Sequence, residues 1–481
     1  MMTLEGVSKL LSAVKYEIVP YTRGLGLDVG IGKLKAYRHF ITVRKRGDEL
    51  VPAEAPVDHW VEDWHTALAS FEDGKLDFVF VWGGVEVPPD EIKRVVKVGG
   101  HWVSAVSDES GDGADITIFR READVWAPAV ERIRQEKTAC VVRYGAIGDA
   151  LQAGCVLPEL KRQGYHVTYM CEPLGEQVMR HDPHIDKFVV QDPDQVPNLE
   201  LPQYFAHWKQ KFDKWINLCE SIEGTLICLP GRAKFHFPKD VRHELCDYNY
   251  HEFINKLAEL PFHAEHHFYP NDQERASAEA FLQTIGDAQN RGWVMGEKWV
   301  KPFVVMWALS GSGVHKHYPH QDAVIAKILL EIPHAHVVLV GGPECKILEY
   351  GWENEPRVRC TSGELQLREV LTLSTMCDMV IGPETGVLNC VAFESMPKVL
   401  FLSHSSHENL PKHWVNTEAV ASQVTKCYPC HQLHYDHAVC PQDPETRAAQ
   451  CQADIPAADV WVAIQRAYTA TGAVKKILEA A

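Results

Sequence analysis

Seven residues between an apolar run and a helical pattern have the composition of a ligand-binding turn. The segment Arg143-Tyr-Gly-Ala-Ile-Gly-Asp149 follows the apolar run 138–142 and precedes a helical pattern that begins at residue 150. Gly145 and Gly148 allow a tight turn and a close approach of backbone to ligand. Asp149 would stand at a helix N-terminus, which favours an ionised carboxylate and therefore suits a general base. A plain strand–helix turn with an aspartate cap fits the same residues.

Two later segments carry groups suited to a phosphorylated ligand. Residues 310–319 follow the apolar run 303–308 and read Ser-Gly-Ser-Gly-Val-His-Lys-His-Tyr-Pro. Backbone N–H groups near Ser310 and Ser312 could bind an anion such as phosphate, and Lys316 adds a cation beside them. Residues 383–389 follow another apolar run and read Pro-Glu-Thr-Gly-Val-Leu-Asn. The alternatives are that Lys316 is a solvated surface lysine and that residues 383–389 form an ordinary turn.

Four of the 14 cysteines are clustered near the end of the chain. Cys427, Cys430, Cys440 and Cys451 form the pattern C-x2-C-x9-C-x10-C, in which the first pair has the spacing of a zinc knuckle. The pattern predicts a structural zinc site, with reduced thiols or a disulfide pair as alternatives. A catalytic metal is not expected, because four cysteine ligands would leave no open coordination position.

Composition and charge limit the class of protein. The chain has 481 residues, 46% of them hydrophobic and 23% charged, as in ordinary globular proteins. No apolar run approaches the length of a transmembrane helix, and the N-terminus lacks a signal-peptide pattern, so we expect a cytoplasmic protein. The net charge of −17 gives no general attraction to nucleic acid, although a locally basic groove at Arg232, Lys234 and Lys239 stays open.

Strand-like runs alternate with helical patterns along most of the chain, which predicts an α/β fold with parallel sheets. We expect three domains, at 1–135, 136–295 and 296–481, with the cysteine cluster 427–451 inside the last. A linker is predicted around residues 290–296. Two successive α/β domains joined by a hinge would face an interdomain cleft, and such clefts are preferred ligand sites.

The three polar segments, in this order and spacing, resemble glycosyltransferase family 9, the heptosyltransferase-like enzymes. Residues 181–188 and 212–218 are similar to that family's N-terminal domain as well, so the resemblance covers about 137–470. It implies a GT-B fold, with two Rossmann-like domains facing a cleft, and transfer of a sugar from a nucleotide-diphosphate donor. Some members of the family carry a similar cysteine-rich segment at this place.

The resemblance implies roles for individual residues. Asp149 matches the base that deprotonates the acceptor hydroxyl, with Arg143, Gly145 and Gly148 in the turn on the acceptor side, and Lys316 matches a lysine that contacts donor phosphate. Donor-binding positions follow from the same comparison: Ser310, Ser312, Glu344, Glu384, Thr385, Gly386 and Asn389. Glu344 would bind the nucleoside, although a capping role is the alternative.

The chain departs from the family's D-T-G-x-x-H motif at two positions. Glu384 stands where aspartate is usual, and Asn389 stands where histidine is usual. An ADP-sugar is the favoured donor, but these changes leave the identity of the sugar open.

The first 135 residues resemble a reduced methyltransferase domain. Residues 27–33 are similar to its glycine loop, residues 76–81 to its fourth strand and residues 96–103 to its post-helix turn. However, the second strand is followed by Arg44-Lys-Arg46, where the cofactor's ribose needs an acidic residue. S-adenosylmethionine is therefore not expected to bind.

The combined expectation is an inverting glycosyltransferase that binds a nucleotide-sugar and a glycan, nucleobase or protein acceptor. One alternative is a phage-type enzyme that modifies a nucleobase or a protein. Another is a non-catalytic binding protein that retains the GT-B fold.

Overall fold

The apolar runs of the sequence form the strands of three large sheets. The structure, a computed structural model, describes residues 8, 10–12, 14–30, 37, 39–46, 57–82, 85–107, 114–123, 125–128, 137–285, 293–295 and 298–470. Two predicted features fall partly outside them: the glycine loop at 27–33 and the linker around residues 290–296. The mixed α/β architecture, with mostly parallel pairing, confirms the predicted fold class.

The first sheet has seven strands in the order β3-β2-β1-β4-β5-β6-β7. Their bounds are Gly26–Val29, Ile41–Lys45, His59–Val61, Leu76–Trp82, Val96–Ser107, Ala114–Glu122 and Val125–Pro128 for β1 to β7. The strands from β3 to β5 pair in parallel, and β6 and β7 add an antiparallel edge. Helix α1, Pro89–Val95, lies between β4 and β5.

The second sheet has four strands in the order β10-β9-β8-β11. Their bounds are Thr138–Val142, His166–Cys171, Lys187–Val190 and Lys214–Asn217 for β8 to β11. The connecting helices are α2 (Ile147–Ala153), α3 (Leu157–Arg162), α4 (Pro173–Met179) and α5 (Leu201–Lys209). After β11 the chain forms α6 (Lys239–Cys246), α7 (Tyr250–Leu257) and α8 (Asp272–Gln283), and then a two-stranded antiparallel ribbon, β12 (Trp293–Met295) and β13 (Lys298–Val300).

The third sheet has six strands, all pairing in parallel, in the order β16-β15-β14-β17-β18-β19. Their bounds are Phe303–Ala308, Ala335–Val340, Val358–Cys360, Met379–Pro383, Lys398–Phe401 and Thr417–Val420 for β14 to β19. Its helices are α9 (Gln321–Glu331), α10 (Leu367–Ser374), α11 (Gly386–Cys390), α12 (Gln450–Ala453) and α13 (Ala457–Ala470). Every residue of β14 and β15 is buried, as expected for central parallel strands covered on both faces.

The chain divides into two compact units. The first contains residues 1–140, 170–173 and 188–214, and the second contains 141–169, 174–187 and 215–481. In the first unit, valines of β1, β2 and β4 pack with Ile92 of α1. In the second, Trp307, Ile381 and Phe401 of the third sheet pack with Ile325 of α9 and Ile464 of α13. The predicted division into three domains stays a prediction.

Among the described residues, no helix combines the length and the apolar character needed to cross a bilayer.

Candidate functional site

The turn after β8 holds Asp149 in a fixed, half-exposed position. The backbone N–H of Ala146 donates to Asp149 Oδ2 at 2.7 Å, because Asp149 lies in the first turn of α2. Gly145 has φ of 126°, and a Cβ there would lie 2.6 Å from Asp149 Oδ2. The glycine is therefore required both by its backbone angle and by the approach of the carboxylate.

A buried arginine pairs with Asp149 and with a second carboxylate. Arg143 Nη2 lies 2.8 Å from Asp149 Oδ1, and Arg143 Nη1 lies 2.5 Å from Glu223 Oε1. Burial alone would lower the pKa of Arg143, but the two carboxylates outweigh burial and raise it. The guanidinium is therefore a permanent cation beneath Asp149, placed to orient its carboxylate.

The loop after β14 places Lys316 against the loop after β17. A Cβ on Gly311 would lie 2.8 Å from Lys316 Cδ and 3.0 Å from Thr385 Cγ2, so these side chains meet over the glycine. The Thr385 hydroxyl is buried and, among the described residues, lacks a hydrogen-bond partner. A buried hydroxyl of this kind calls for a ligand or a water molecule.

Lys316 links the predicted acceptor side, at Asp149, with the predicted donor-binding position Glu384. Burial lowers its pKa, and the carboxylates of Glu384 and Asp149 partly offset this effect. The ammonium therefore interacts with an acidic residue from each of the other two polar segments, 143–149 and 383–389. Ser310, at the start of the same loop, is half-buried and Ser312 is exposed.

Glu384 is committed to the loop after β18 rather than open to solvent. Its Oε1 accepts from the backbone N–H of Ser403 at 2.5 Å, and its Oε2 accepts from the hydroxyl of Ser405 at 3.0 Å. His404 Nδ1 lies 2.6 Å from Oε2. Burial would raise the pKa of Glu384, but His404, Lys316 and these hydrogen bonds hold it well below its usual range. The carboxylate thus fixes the loop that follows Phe401.

Asn389 is also satisfied within the protein. Its Nδ2 donates to the carbonyl of Thr385 at 2.9 Å, and its Oδ1 accepts from Gln152 Nε2 at 2.7 Å. A Cβ on Gly148 would lie 2.9 Å from Asn389 Nδ2. The amide therefore joins α11 to α2 and requires glycine at position 148.

Glu344 lies apart from these contacts. It is exposed in the seven-residue 3-10 helix Pro343–Glu349, and a Cβ on Gly342 would lie 2.3 Å from its Oε1. Its carboxylate faces solvent beside the carboxyl end of β15. The position is compatible with the predicted contact to a nucleoside and with a local capping role alike.

The four clustered cysteines line one cavity of about 340 Å³, together with Phe235, Arg242, His315 and His434. All four are free, and burial raises the pKa of Cys430 to about 12 and that of Cys440 to about 11. Within the described residues, however, no three or more His, Cys, Asp or Glu side chains are grouped so that they could hold a metal ion. The predicted zinc site is therefore not supported by the geometry of these thiols.

A buried ion pair and an indole meet on three neighbouring strands of the first sheet. Arg44 of β2 forms a fully buried ion pair with Asp28 of β1 at 2.8 Å, and Trp82 Nε1 donates to the same carboxylate at 2.6 Å. A Cβ on Gly30 would lie only 2.2 Å from the Trp82 indole. The arginine thus replaces the acidic residue that a ribose would need, and the indole occupies the space beside the glycine.

Of the predicted basic groove, Lys239 is used inside the protein, whereas Arg232 is exposed and pairs with Glu220 at 3.4 Å. Lys239 Nζ donates to the carbonyls of Lys426 and Tyr428 at 2.7 and 2.8 Å, and Arg242 Nε donates to the carbonyl of Cys430 at 3.0 Å. These cations hold the cysteine-rich segment and are less available to a polyanion.

Two residues of the site were not identified from the sequence. Glu223 pairs with Arg143, and Tyr250 is a buried tyrosine whose pKa is raised by burial and by Asp149, Glu384 and Glu223. No motif marks either one. The only sequence signal was the position of Glu223 shortly after the strand-like run 214–218.

No known protein-family model matches the chain, and no curated protein matches it. Similar solved structures include a family 9 glycosyltransferase from Veillonella parvula, with 15% identity, 60% of this chain and 86% of that chain covered, and a TM-score of 0.44. The ADP-heptose lipopolysaccharide heptosyltransferase II of E. coli gives 13% identity, coverages of 69% and 98%, and a TM-score of 0.46. The iron-containing dodecameric glycosyltransferase TibC of enterotoxigenic E. coli gives 15% identity, covers 74% of this chain and 83% of that chain, and has a TM-score of 0.44. Scores below 0.5 at such identities indicate a distant likeness and assign this chain neither an activity nor a substrate.

Proposed function

We propose that the chain is an inverting glycosyltransferase of GT-B type that transfers a sugar from a nucleoside-diphosphate donor to an acceptor hydroxyl. The observation that carries the proposal is the convergence of Asp149, Lys316 and Thr385 from loops after β8, β14 and β17. The order of the third sheet is that of dinucleotide-binding folds, in which ligands bind where the strand order reverses. The loops after β14 and β17 flank that point.

In the proposed reaction Asp149 takes the proton of the acceptor hydroxyl. The acceptor oxygen then attacks the anomeric carbon from the face opposite the diphosphate, and the bond to the diphosphate oxygen breaks. Lys316 stabilises the negative charge that develops on the leaving group. Its partial burial strengthens this interaction, since charges interact more strongly away from bulk water.

The donor-binding residues divide by their surroundings. Thr385, with its unpartnered hydroxyl, and the backbone of Ser310, Ser312 and Gly386 are the proposed donor contacts. Glu384 and Asn389 support these contacts from behind, because their polar atoms are hydrogen-bonded within the protein. Glu344 is the proposed contact to the nucleoside, and ADP-sugars are the favoured donors.

We also propose that residues 1–135 form a domain of methyltransferase type that does not bind S-adenosylmethionine. Two contacts support this: Arg44 is held by Asp28 where the resemblance calls for an acidic residue, and the Trp82 indole lies against Gly30.

Donor binding can be tested by thermal shift with ADP-, UDP- and GDP-sugars. We expect one nucleotide class to raise the melting temperature of the wild type and to leave Lys316→Ala unchanged. Lys327→Ala is the matched control, since Lys327 is a half-exposed lysine of α9 paired with Glu331 at 3.8 Å. It should respond like the wild type.

Absence of any shift in a cooperatively melting wild type would contradict the proposal. An equal shift in Lys316→Ala would remove Lys316 from the donor site.

A further inference from the structure

Arg143 contacts two carboxylates, only one of which has a role in the proposed reaction. Its Nη2 lies 2.8 Å from Asp149 Oδ1, and its Nη1 lies 2.5 Å from Glu223 Oε1. The guanidinium is 2% exposed, whereas the Asp149 and Glu223 side chains are 24% and 16% exposed. The cation is therefore enclosed, and its charge acts mainly on these two partners.

A buried arginine that paired with Asp149 alone would work against a general base. A neighbouring cation favours the ionised carboxylate and so weakens its hold on a proton. A base must accept a proton from the acceptor hydroxyl, so excessive stabilisation of its charge slows the reaction. Yet the arginine is also what orients the carboxylate. Orientation and basicity thus make opposite demands on the same contact.

Glu223 meets both demands. Its carboxylate binds Nη1 of the guanidinium, so the Arg143–Glu223 pair carries little net charge beneath Asp149. The hydrogen bond from Nη2 to Asp149 is retained, and the positive potential at Asp149 falls. Arg143 Nη1 also donates weakly to the carbonyl of Leu218 at 3.4 Å, which fixes the arginine relative to the end of β11.

We propose that Glu223 is a positioning residue: it shares Arg143 with Asp149, so that Asp149 is held in place without losing its capacity to accept a proton. The inference rests on the proposed role of Asp149 as the base. It goes beyond that role by assigning Glu223, which no motif marks, a defined electrostatic effect.

Other charged groups also face Asp149. Lys316, from the loop after β14, interacts with it electrostatically, and Tyr250 of α7 interacts with Asp149, Glu223 and Glu384. Asn389 and Gln152, from α11 and α2, are neutral. Replacement of Glu223 leaves these groups in place, so its effect on Asp149 can be isolated.

The first test needs no substrate. The proton affinity of Asp149 is measured by ¹³C NMR titration of aspartate carboxyl groups in the full chain, with Asp149→Asn identifying the signal. In Glu223→Gln the negative charge is lost, while the amide oxygen can still accept from Arg143. We expect the midpoint for Asp149 to fall by about one pH unit.

The matched control is Glu220→Gln. Glu220 lies in the same turn but is 71% exposed and pairs with Arg232 at 3.4 Å, so its replacement should leave the Asp149 midpoint unchanged. Glu223→Asp keeps the charge and should stay close to the wild type. If Glu223→Gln fails to fold, Glu223→Asp replaces it in the test. Its Asp149 midpoint then shows whether the negative charge of residue 223 or the length of its side chain controls Asp149. An unchanged or raised midpoint in Glu223→Gln, or a Glu223→Asp midpoint as low as that expected for loss of charge, would overturn the proposal.

A second readout applies once a donor is known. In Glu223→Gln the acidic limb of the kcat/KM profile should move to lower pH and the plateau should fall about tenfold, with donor KM unchanged. A loss of activity at all pH values without movement of the limb would indicate a structural role and contradict the inference. If the wild type transfers no sugar, the proposed function fails, whereas the titration still decides the role of Glu223.

Discussion

Glu384 shows how a residue expected to touch the donor can act through a loop instead. Its two oxygens accept hydrogen bonds from Ser403 and Ser405, and His404 Nδ1 lies 2.6 Å from Oε2. A glutamate is long enough to reach these groups across the end of β18. The departure from aspartate at this position therefore has a local structural reason.

Glu384→Gln is expected to destabilise the protein by roughly 2–4 kcal/mol at pH 7, because it removes a buried, multiply bonded carboxylate. The folded-state pKa of Glu384 lies below the ordinary value of 4.5. Its stabilisation is therefore complete above about pH 4.5 and is lost as the pH falls toward the folded-state pKa. Urea unfolding of wild type and variant between pH 7 and pH 3 measures this difference.

Glu408→Gln is the control on the same loop, since Glu408 is 58% exposed and pairs with Lys412 at 3.3 Å. It should unfold like the wild type at every pH. A constant difference between wild type and Glu384→Gln down to pH 3 would contradict the low pKa.

The sequence indicated the residue types at the site better than their partners. Asp149, Lys316 and Thr385 were predicted from their motifs and do lie near one another. The contact of Arg143 with Glu223 could not be predicted, because the two lie 80 positions apart. Their proximity depends on the pairing of β8 with β11, which no local pattern encodes.

At the scale of elements, the site depends on the close approach of α2 and α11. A Cβ on Gly386 would lie 2.5 Å from Ile147 Cβ, and a Cβ on Gly148 would lie 2.9 Å from Asn389 Nδ2. Asp149 lies in the first turn of α2, and Thr385 is the N-cap residue of the first turn of α11. Glycine at 148 and 386 thus sets the distance between these turns.

Gly386→Ala should lower the unfolding free energy by about 1–3 kcal/mol, because the added methyl group meets the Cβ of a neighbouring helix. It should also weaken the thermal shift caused by a nucleotide-sugar, since Thr385 precedes it. Gly154→Ala is the control: its nearest neighbour is the flexible end of Met179 at 3.3 Å. Equal stability of the two variants would show that α2 and α11 can separate without cost.

One predicted strand is confirmed as drawn, whereas one predicted helix is divided. The run 303–308 was predicted as a strand and is β14, because six consecutive apolar residues buried on both faces suit a central parallel strand. The helical pattern 150–163 is instead divided into α2, a single 3-10 turn at Gly154–Val156, and α3. Apolar periodicity does not separate one long helix from two short ones.

At the scale of the whole molecule, one strand order recurs in the three large sheets. The sheets contain β3-β2-β1-β4, β10-β9-β8-β11 and β16-β15-β14-β17, so the order reverses beside the first strand of each. Ligands bind at such reversals in open α/β sheets. In the second and third sheets, Asp149 and Lys316 follow the first strand. In the first sheet, Asp28 on the first strand is instead bound by Arg44 and Trp82 of the two neighbouring strands.

The sequence predicted this architecture in outline, since each sheet contains apolar runs separated by helical patterns. It did not predict that Asp28, Arg44 and Trp82 are buried together in the first sheet. That result depends on Trp82 reaching Asp28, 54 positions away, and on the burial of Arg44. An arginine in the sequence indicates a charge, but only the fold shows whether that charge faces solvent.

The most direct test of the central claim is donor turnover. The nucleotide-sugar that stabilises the protein is incubated with it and with a bacterial extract that supplies glycan, protein and nucleic acid hydroxyls. Release of the nucleoside diphosphate is followed by ³¹P NMR for the wild type and Asp149→Asn. The account predicts release by the wild type and a loss of about 100-fold or more in Asp149→Asn, with donor binding retained. Equal release by both proteins, or none above the extract alone, would contradict it.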